Sequence, residues 1–322
     1  MSPYPGLSLL RTENGVAFVD LDITAEPKMR NDPTAHEALR RRFTSEALYE
    51  REIGRKAYAL SGASVFPEFD PGIHVIPHER IPAHGCCFMA LDPHPRTPHA
   101  ALWVLIDAWH DWYVYRELWP SKIYGRGGRI SDDDRDNQYT TREYVETIAE
   151  LLEGNEIEWH NPETSDEYGI YRRWFNPETK VEGERIIDRF MDQAGKGFVV
   201  SEVGNETYST RYQKYGLSFS DPRKDHAAGE DAIRQLLKPR HNDVRGIWPQ
   251  LHVSDRCVEF CLEIRQHRYE VMKQVRAEKE LRQDRSKFRC HLVDCLRYIA
   301  TGNVSYIPSM ASARYESRSG RI

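Results

Sequence analysis

The 322-residue chain lacks several features that would point to particular classes of protein. No apolar run approaches the length of about 18 residues that a membrane-spanning helix needs. The first residues, MSPYPGLSLLRTENG, contain no basic region followed by an apolar stretch, so we expect no secretory signal. No two cysteines form a C-x-x-C pair, which argues against a zinc ribbon or a redox motif. The pattern is typical of a reduced, intracellular protein.

Charge is distributed unevenly along the chain. The net charge is −5, yet residues 238–322 carry 17 Lys and Arg against 10 Asp and Glu, a net charge of +7. Residues 1–237 carry 28 against 40, a net charge of −12. A basic C-terminal third is consistent with a polyanionic partner and equally with a solvated basic helix. Charge alone leaves both interpretations open.

The length indicates one large domain with an appendage, or two domains. Near the N-terminus, GVAFVDLDIT (15–24) predicts a strand, and Thr34 is a candidate N-cap for a helix that runs to about residue 57. A segment rich in Gly and Pro follows, and we place a boundary within residues 60–82. We therefore expect domains over 1–60 and 61–303, with a disordered tail over 304–322.

Three apolar strands are predicted after the boundary, over residues 86–92, 100–107 and 112–119. Their short connections favour an antiparallel meander. The rest of the chain predicts, in order, a helix over 141–153 capped by Thr140, an irregular insertion over 154–182, a strand over 184–192, a helix over 205–215, a strand over 216–220, a helix over 226–238, a strand over 251–253, a helix after Ser254 and a last helix over 287–302. Three antiparallel strands followed by alternating helices and strands predict an α/β fold with an RNase H-like mixed sheet flanked by helices.

Nuclease chemistry on this plan requires carboxylates that converge from separate elements. Asp92 ends the first strand of the meander, Asp192 ends the fourth strand, and Asp294 lies within the apolar stripe of the last helix. Two divalent ions held by such acids stabilise the attacking and leaving oxygens of a phosphodiester displacement. Oxygen ligands suit Mg²⁺ or Mn²⁺.

The two acids at strand ends have simpler interpretations. Asp92 begins the sequence D-P-H-P, so capping of a turn would explain it without any metal. Asp192 could cap the end of its strand in the same way, and Asp188 competes with it for the catalytic role. Both choices stay open at this point.

The acid in the last helix is the strongest candidate, because an acid among apolar neighbours is costly unless it is paired or binds a metal. Its alternative is a salt bridge from Asp294 to Arg297 or Arg289. His291 lies one turn before Asp294 on the same helical face. It could be a further ligand, a phosphate contact, or an ordinary surface or core histidine.

These segments, in this order, resemble the large terminase subunit of tailed bacteriophages, specifically its C-terminal nuclease domain. The most specific piece is the closing motif, of the form D/H-H-x-x-D-x-x-R-Y. The resemblance covers about residues 60–302 and is carried by VFPEFDPGIHVI (65–76), FMALDPHPRTPHAALWVLID (88–107), WYVYRELW (112–119), RFMDQAG (189–195), LHVSDRCVEFCLEIRQHRY (251–269) and KFRCHLVDCLRY (287–298).

The resemblance implies a metal-dependent endonuclease that cuts concatemeric viral DNA during genome packaging, with two Mg²⁺ or Mn²⁺ ions. It places Asp92, Asp192 and Asp294 at the metal-binding acids and His291 at the histidine of the closing motif. The chain departs from the family in having His94 where many relatives have glycine two residues after the first acid.

A second departure concerns the ATPase of the family. The sequence has no G-x-x-x-x-G-K-[ST] motif, and AGKGF (194–198) lacks its first glycine and its Ser or Thr. Residues 1–60 resemble only the tail of that motor. We therefore expect a split-gene nuclease subunit or a truncated product, with no ATPase activity of its own.

The family further implies a set of partners and a location. The expected partners are double-stranded DNA, the terminase ATPase motor, the small terminase subunit and the portal protein, with no membrane. We expect the chain in the host cytoplasm, transiently at the procapsid portal, and not as a stable part of the virion. Two alternatives remain: another RNase H-like nuclease of the resolvase or transposase type, and a non-catalytic DNA-packaging or docking module.

The basic C-terminal third supplies candidates for contact with DNA. Arg240, Arg245, Lys287 and Arg289 are the residues that we expect to bind phosphates. Lys287 and Arg289 lie within two turns of Asp294, so DNA that reaches the acids should pass them. The alternative is that these side chains only solvate helices or pair with Glu278, Glu280 and Asp284.

Overall fold

A computed structural model describes residues 7–13, 16–21, 64–94, 98–119, 140–161, 163, 167–178, 181–192, 199–201, 204–223, 225–242, 246–268 and 290–315. The chain divides into two compact units. The smaller unit consists of Met1–Val65 with Arg265–Phe288, and the larger unit consists of Phe66–Ile264 with Arg289–Ile322.

The smaller unit contains an antiparallel hairpin of β1 (Leu7–Glu13) and β2 (Val16–Leu21). The predicted strand over 15–24 corresponds to β2. In the same unit the Val65 N–H donates to the His267 carbonyl at 3.0 Å, and Ser64 pairs with Arg268 in an antiparallel bridge. The helix predicted to run to residue 57 lies outside the described residues, and the interpretation of 1–60 as the tail of a motor stays a prediction.

The larger unit has one main sheet with helices on both of its faces, and further strands that form two-stranded sheets. In chain order its elements are α1 (Pro71–His74), β3 (Val75–Ile76), a 3-10 turn (His78–Arg80), β4 (His84–Asp92), β5 (Ala100–Ile106), β6 (Trp112–Leu118), α2 (Thr141–Glu146) with a π-helical continuation (Thr147–Leu152), β7 (Glu156–His160), β8 (Tyr168–Arg172), β9 (Phe175–Asn176), β10 (Val181–Glu182), β11 (Ile186–Met191), β12 (Val199–Ser201), β13 (Gly204–Thr207), α3 (Tyr208–Lys214), α4 (His226–Leu237), β14 (Arg240–Asn242), β15 (Gly246–Trp248), β16 (Leu251–Ser254), α5 (Val258–Gln266), α6 (His291–Thr301), a 3-10 turn (Pro308–Met310) and β17 (Ser312–Ala313).

The main sheet has the strand order β11-β4-β5-β6-β16-β3. The three strands β4, β5 and β6 are antiparallel neighbours, and β11 joins β4 in parallel. Beyond β11, Ser220 makes a parallel bridge to Phe190 at the place where a fifth RNase H strand would lie. The RNase H-like fold is confirmed. On the other side, β16, which contains the strand predicted over 251–253, and β3 extend the sheet in parallel beyond β6. The sequence did not predict this place for them in the sheet.

Helices cover both faces of this sheet, which explains why β5 and residues 86–91 of β4 are apolar. On one face, Met89 and Trp103 pack with Tyr144 and Ile148 of α2 and its π-helical continuation. On the other face α6 lies against β4 and β5, and α4 packs on α6. Thr140 caps α2 as predicted, within a capping box.

The helices α4 and α6 approach closely at Gly229. A Cβ atom at this position would lie 2.3 Å from Cγ of Arg297, so any larger residue would push the helices apart. Among the described residues, no helix is both long and apolar enough to cross a membrane.

Two predictions about local structure are wrong. The insertion over 154–182 is not irregular, because β7 and β8 form a regular antiparallel hairpin. The tail is not disordered over 304–315, since β17 pairs with the start of β4 through Ser312 and Ala313. A third prediction holds only in part: the strand predicted over 216–220 is reduced to the single bridge at Ser220.

A buried ion-pair network lies on the α2 side of the sheet. The Glu184 carboxylate accepts hydrogen bonds from the Tyr115 hydroxyl at 2.7 Å and from Arg116 Nη1 at 2.6 Å. Arg116 also donates to the Tyr315 carbonyl at 2.7 Å. A second buried pair joins Glu153 to Arg189. The side chains of both acids are fully shielded from solvent, so removal of either arginine would leave an uncompensated buried charge.

His99, just before β5, makes stability sensitive to mild acid. Burial lowers the pKa of His99 to about 3, and the charge of His94 also lowers it. Between pH 6.5 and pH 3 the unfolded chain therefore binds a proton that the folded chain does not, and the free energy of unfolding falls as the pH falls. We expect a loss of about 2 kcal/mol at pH 5 relative to pH 7 from this group.

Chemical denaturation at the two pH values measures this effect. His99 Nδ1 lies 2.8 Å from the Tyr212 hydroxyl, and an asparagine side chain at this position would keep an acceptor near that point. The variant His99→Asn should therefore lose less stability than the wild type between pH 7 and pH 5. An equal loss in both proteins would show that His99 does not titrate as described.

Candidate active site

Asp92 is the last residue of β4, on the face of the sheet that α6 covers. Its residue surface is 8% exposed. His291 Nδ1 lies 2.6 Å from Oδ2 of Asp92, and the Tyr298 hydroxyl donates to Oδ1 at 3.1 Å. Both partners come from α6, so the carboxylate of Asp92 joins the end of a central strand to that helix.

Asp192 lies beside Asp92 at the same edge of the sheet. It directly follows Met191, which pairs in register with Leu91. Burial raises the pKa of Tyr298 well above its ordinary value, and the charges of Asp92, Asp294 and Asp192 raise it further. Of these acids, Asp92 contacts the Tyr298 hydroxyl directly, and Asp192 follows the strand that pairs with β4.

Asp188, the competing candidate, has other partners. Its Oδ1 accepts hydrogen bonds from the Ser220 hydroxyl at 2.7 Å and from the Arg189 N–H at 2.8 Å. It is four residues earlier on β11 and ties this strand to Ser220. The geometry therefore favours Asp192 over Asp188 as the acid beside Asp92.

Asp294 lies in the first turn of α6. Arg297 Nη1 is 2.6 Å from its Oδ1, and the Cys290 thiol donates to Oδ2 at 3.3 Å. The ion pair to Arg297 is the alternative that the sequence left open, and it is present. The helix that carries Asp294 also carries His291 and Tyr298, which contact Asp92.

His291 is held between the acids and an aromatic ring. Its imidazole stacks on Trp119 with ring centroids 5.7 Å apart and planes 14° apart. Burial by itself lowers the pKa of His291, but the hydrogen bond and charge of Asp92, with Glu263 and Asp294, outweigh it and raise the pKa. The surroundings of His291 therefore favour its cationic form.

The carboxylates of Asp92, Asp192 and Asp294 fit Mg²⁺ or Mn²⁺ in chemical kind, because these ions prefer oxygen ligands. In the described part of the chain, no three His, Cys, Asp or Glu side chains are already arranged around a common point as ligands. Instead, cationic side chains lie against two of the acids: His291 against Asp92 and Arg297 against Asp294.

Three of the four predicted DNA contacts lie outside the described residues: Arg245, Lys287 and Arg289. Arg240 begins β14, is exposed, and donates from Nη2 to the Gln235 carbonyl at 3.2 Å. Its role in binding DNA stays a prediction.

Sequence reasoning missed three residues of this site. Tyr298 belongs to the apolar surroundings of Asp294 in the sequence, but positions 291, 294 and 298 share one helical face, and this spacing is the signal that could have identified it. Trp119 gave no local signal for stacking on His291. Glu263 contacts the start of α6 from another helix, and such long-range contacts leave no pattern in the sequence.

No family model and no curated protein matches the sequence. The nuclease domain of the P22 large terminase is similar in structure, with 14% identity, a TM-score of 0.45, and coverage of 76% of this chain and 94% of that one. The large terminase of a thermophilic bacteriophage is similar with 15% identity and a TM-score of 0.48, over 85% of this chain and 54% of that one. The ADP complex of the same large terminase gives 14% identity and a TM-score of 0.47, over 86% of this chain and 53% of that one.

The chain therefore spans about half the length of the large terminase from the thermophilic phage. These solved structures come from the family that the sequence resembles. At such identities the likeness is one of fold, and the function of this chain has to be inferred from its own residues.

Proposed function

We propose that the chain is a metal-dependent DNA endonuclease of the large terminase type, which cuts concatemeric viral DNA during packaging. The observation that carries the proposal is the contact of Asp92, at the end of β4, with His291 and Tyr298 of α6, the helix that also carries Asp294. Asp192 follows β11, the strand that pairs with β4. These acids come from two strand ends and one helix. Such an arrangement suits hydrolysis of a phosphodiester bond, in which a water oxygen bonds to phosphorus and the leaving oxygen takes up a proton.

The three acids would hold two Mg²⁺ or Mn²⁺ ions, which when bound stabilise the charge on the attacking and leaving oxygens. Tyr298 and His291 orient the carboxylate of Asp92. The Tyr298 hydroxyl donates to Oδ1, and Nδ1 of His291 lies within hydrogen-bond distance of Oδ2. Trp119 fixes the plane of the His291 ring by stacking. Arg297 holds Asp294 on the inward face of α6.

Cleavage of supercoiled plasmid tests the proposal. With Mn²⁺ or Mg²⁺ we expect nicked and linear products that degrade to a smear, because sequence-blind cutting has no fixed endpoint. A chelator should stop the reaction. Binding of DNA without cleavage at any metal concentration would contradict the proposal and favour a non-catalytic packaging module. Strong preference for a four-way junction would favour a resolvase-type nuclease instead.

We propose that the ATPase motor is a separate chain or a missing part, and that this chain alone hydrolyses no ATP, because its sequence contains no P-loop. We also propose double-stranded DNA, the small terminase subunit and the portal protein as partners in the host cytoplasm. Exposed basic residues, among them Arg240, would bind phosphates without reading sequence.

A further inference from the structure

The helix α6 carries His291 and Asp294 but does not cap its own start. The side chain of its N-cap residue, Cys290, accepts no hydrogen bond from the amide groups of the first turn. The first amide groups of a helix need acceptors when they are buried. Here the acceptor comes from another helix: Oε2 of Glu263, on α5, accepts from the Leu292 N–H at 2.7 Å and from the Val293 N–H at 3.4 Å.

Burial of the Glu263 carboxylate costs free energy, since its residue surface is only 2% exposed. A serine or aspartate at position 290 would satisfy the same amides locally. A carboxylate from α5 does more, because it fixes the start of α6 relative to α5. In the sequence, residues 267–290 separate the two helices, so their relative position does not follow from a short connection.

A carboxylate that accepts from the first amides of a helix also connects α5 to the sheet. Glu117, near the end of β6, accepts from the Glu259 N–H at 2.9 Å and from the Phe260 N–H at 2.7 Å, in the first turn of α5. One carboxylate thus ties β6 to α5, and a second ties α5 to α6. Through β5, β6 also has a fixed register with β4, which ends at Asp92.

We propose that Glu263 is a positioning residue of the active site: its carboxylate sets the first turn of α6 and thereby places His291 and Asp294 opposite Asp92. This inference rests on the proposed function for its metal ligands. Glu263 acts through backbone amides, and both of the hydrogen bonds given above use Oε2. An amide oxygen at this position would accept the same two bonds, so the positioning role depends on an acceptor at that place.

Three variants separate this role from a general structural one. Glu263→Ala removes the acceptor, and Glu263→Gln keeps an oxygen at the same distance. Asp225→Ala is the matched control, because Asp225 caps α4 by accepting from the Ala228 N–H at 3.0 Å, and α4 carries none of the three acids. All variants are compared with the wild type well below their melting temperatures.

The first measurement is binding of Mn²⁺ alone, by titration calorimetry. We expect Glu263→Ala to weaken Mn²⁺ binding about 10- to 100-fold, as loss of a residue that orients metal ligands does. Glu263→Gln should keep most of the affinity, and Asp225→Ala should keep all of it. Wild-type affinity in Glu263→Ala, or equal losses in Glu263→Ala and Glu263→Gln, would overturn the proposal.

The second measurement is hydrogen exchange of a peptide that covers residues 290–296. Exchange should be faster in Glu263→Ala than in the wild type, and unchanged in Glu263→Gln and Asp225→Ala. This result does not depend on metal or on cleavage. If the wild type bound no Mn²⁺, the proposed function would fail, and exchange would still decide whether Glu263 holds this turn. Unchanged exchange in Glu263→Ala would overturn the positioning role.

Discussion

Asp294→Asn is expected to lower the rate of metal-dependent DNA cleavage on the order of a thousandfold, equivalent to about 4 kcal/mol of transition-state stabilisation. Asparagine keeps the shape of the side chain but removes the charge that would hold the metal. The residue lies in the first turn of α6, the helix that contacts Asp92 through His291 and Tyr298. Initial rates on supercoiled plasmid, with Mn²⁺ varied, measure the loss.

The change also leaves Arg297 without its ion pair, which could lower stability on its own account. The double variant Asp294→Asn with Arg297→Gln removes both charges, and should regain stability without regaining cleavage. Asp188→Asn is a second control, because Asp188 bonds Ser220 and not the other acids. Cleavage by Asp294→Asn at the wild-type rate would contradict the assignment of Asp294 as a metal ligand.

Glu184→Ala should cause the largest loss of stability of any single substitution considered for this chain. It would leave the buried guanidinium of Arg116 without its carboxylate and the Tyr115 hydroxyl without its acceptor. Breaking one side of a buried pair typically costs about 3–5 kcal/mol. In a unit of this size we expect the melting temperature to fall on the order of 10 °C.

A neighbouring acid provides the matched control. Glu182 pairs with Arg173 at 2.7 Å, but its side chain is 50% exposed, whereas that of Glu184 is 0% exposed. Glu182→Ala should therefore change stability by at most about 1 kcal/mol. The double variant Glu184→Met with Arg116→Leu removes both buried charges and should be more stable than Glu184→Ala alone. Equal melting temperatures for Glu182→Ala and Glu184→Ala would contradict the buried network.

The central strands and the position of Asp92 could be predicted because β4 and β5 lie between two layers of helices. Strands covered on both faces are apolar at every position, so a charged residue at the end of such a run stands out. The same reasoning applies to Asp294, where an acid interrupts the apolar stripe of α6. In both cases burial leaves a local pattern in the sequence.

The strand pattern of β7 is visible in the sequence. Ile157 and Trp159 alternate with Glu156, Glu158 and His160, which is the pattern of a strand with one covered face. Aromatic residues and turn residues around it favoured an irregular interpretation. Strand β17, in contrast, has only two residues, and its pairing with β4 depends on tertiary contact alone.

The partners of buried charges could not be predicted. Glu184 and Arg116 lie 68 positions apart, and Glu263 reaches Leu292 across 29 positions. No periodicity connects such pairs, because only the folded sheet and helices bring them together. For Asp294 the local alternative, Arg297, was three residues away and could be named in advance.

The most direct test of the proposed nuclease site is a crystal structure with Mn²⁺, read from the anomalous signal of the metal. We expect two peaks among the carboxylates of Asp92, Asp192 and Asp294, and weaker or missing peaks in Asp294→Asn crystals treated in the same way. A fully occupied Mn²⁺ site elsewhere with none at these acids, or no bound Mn²⁺ at concentrations that support cleavage, would contradict the two-metal nuclease.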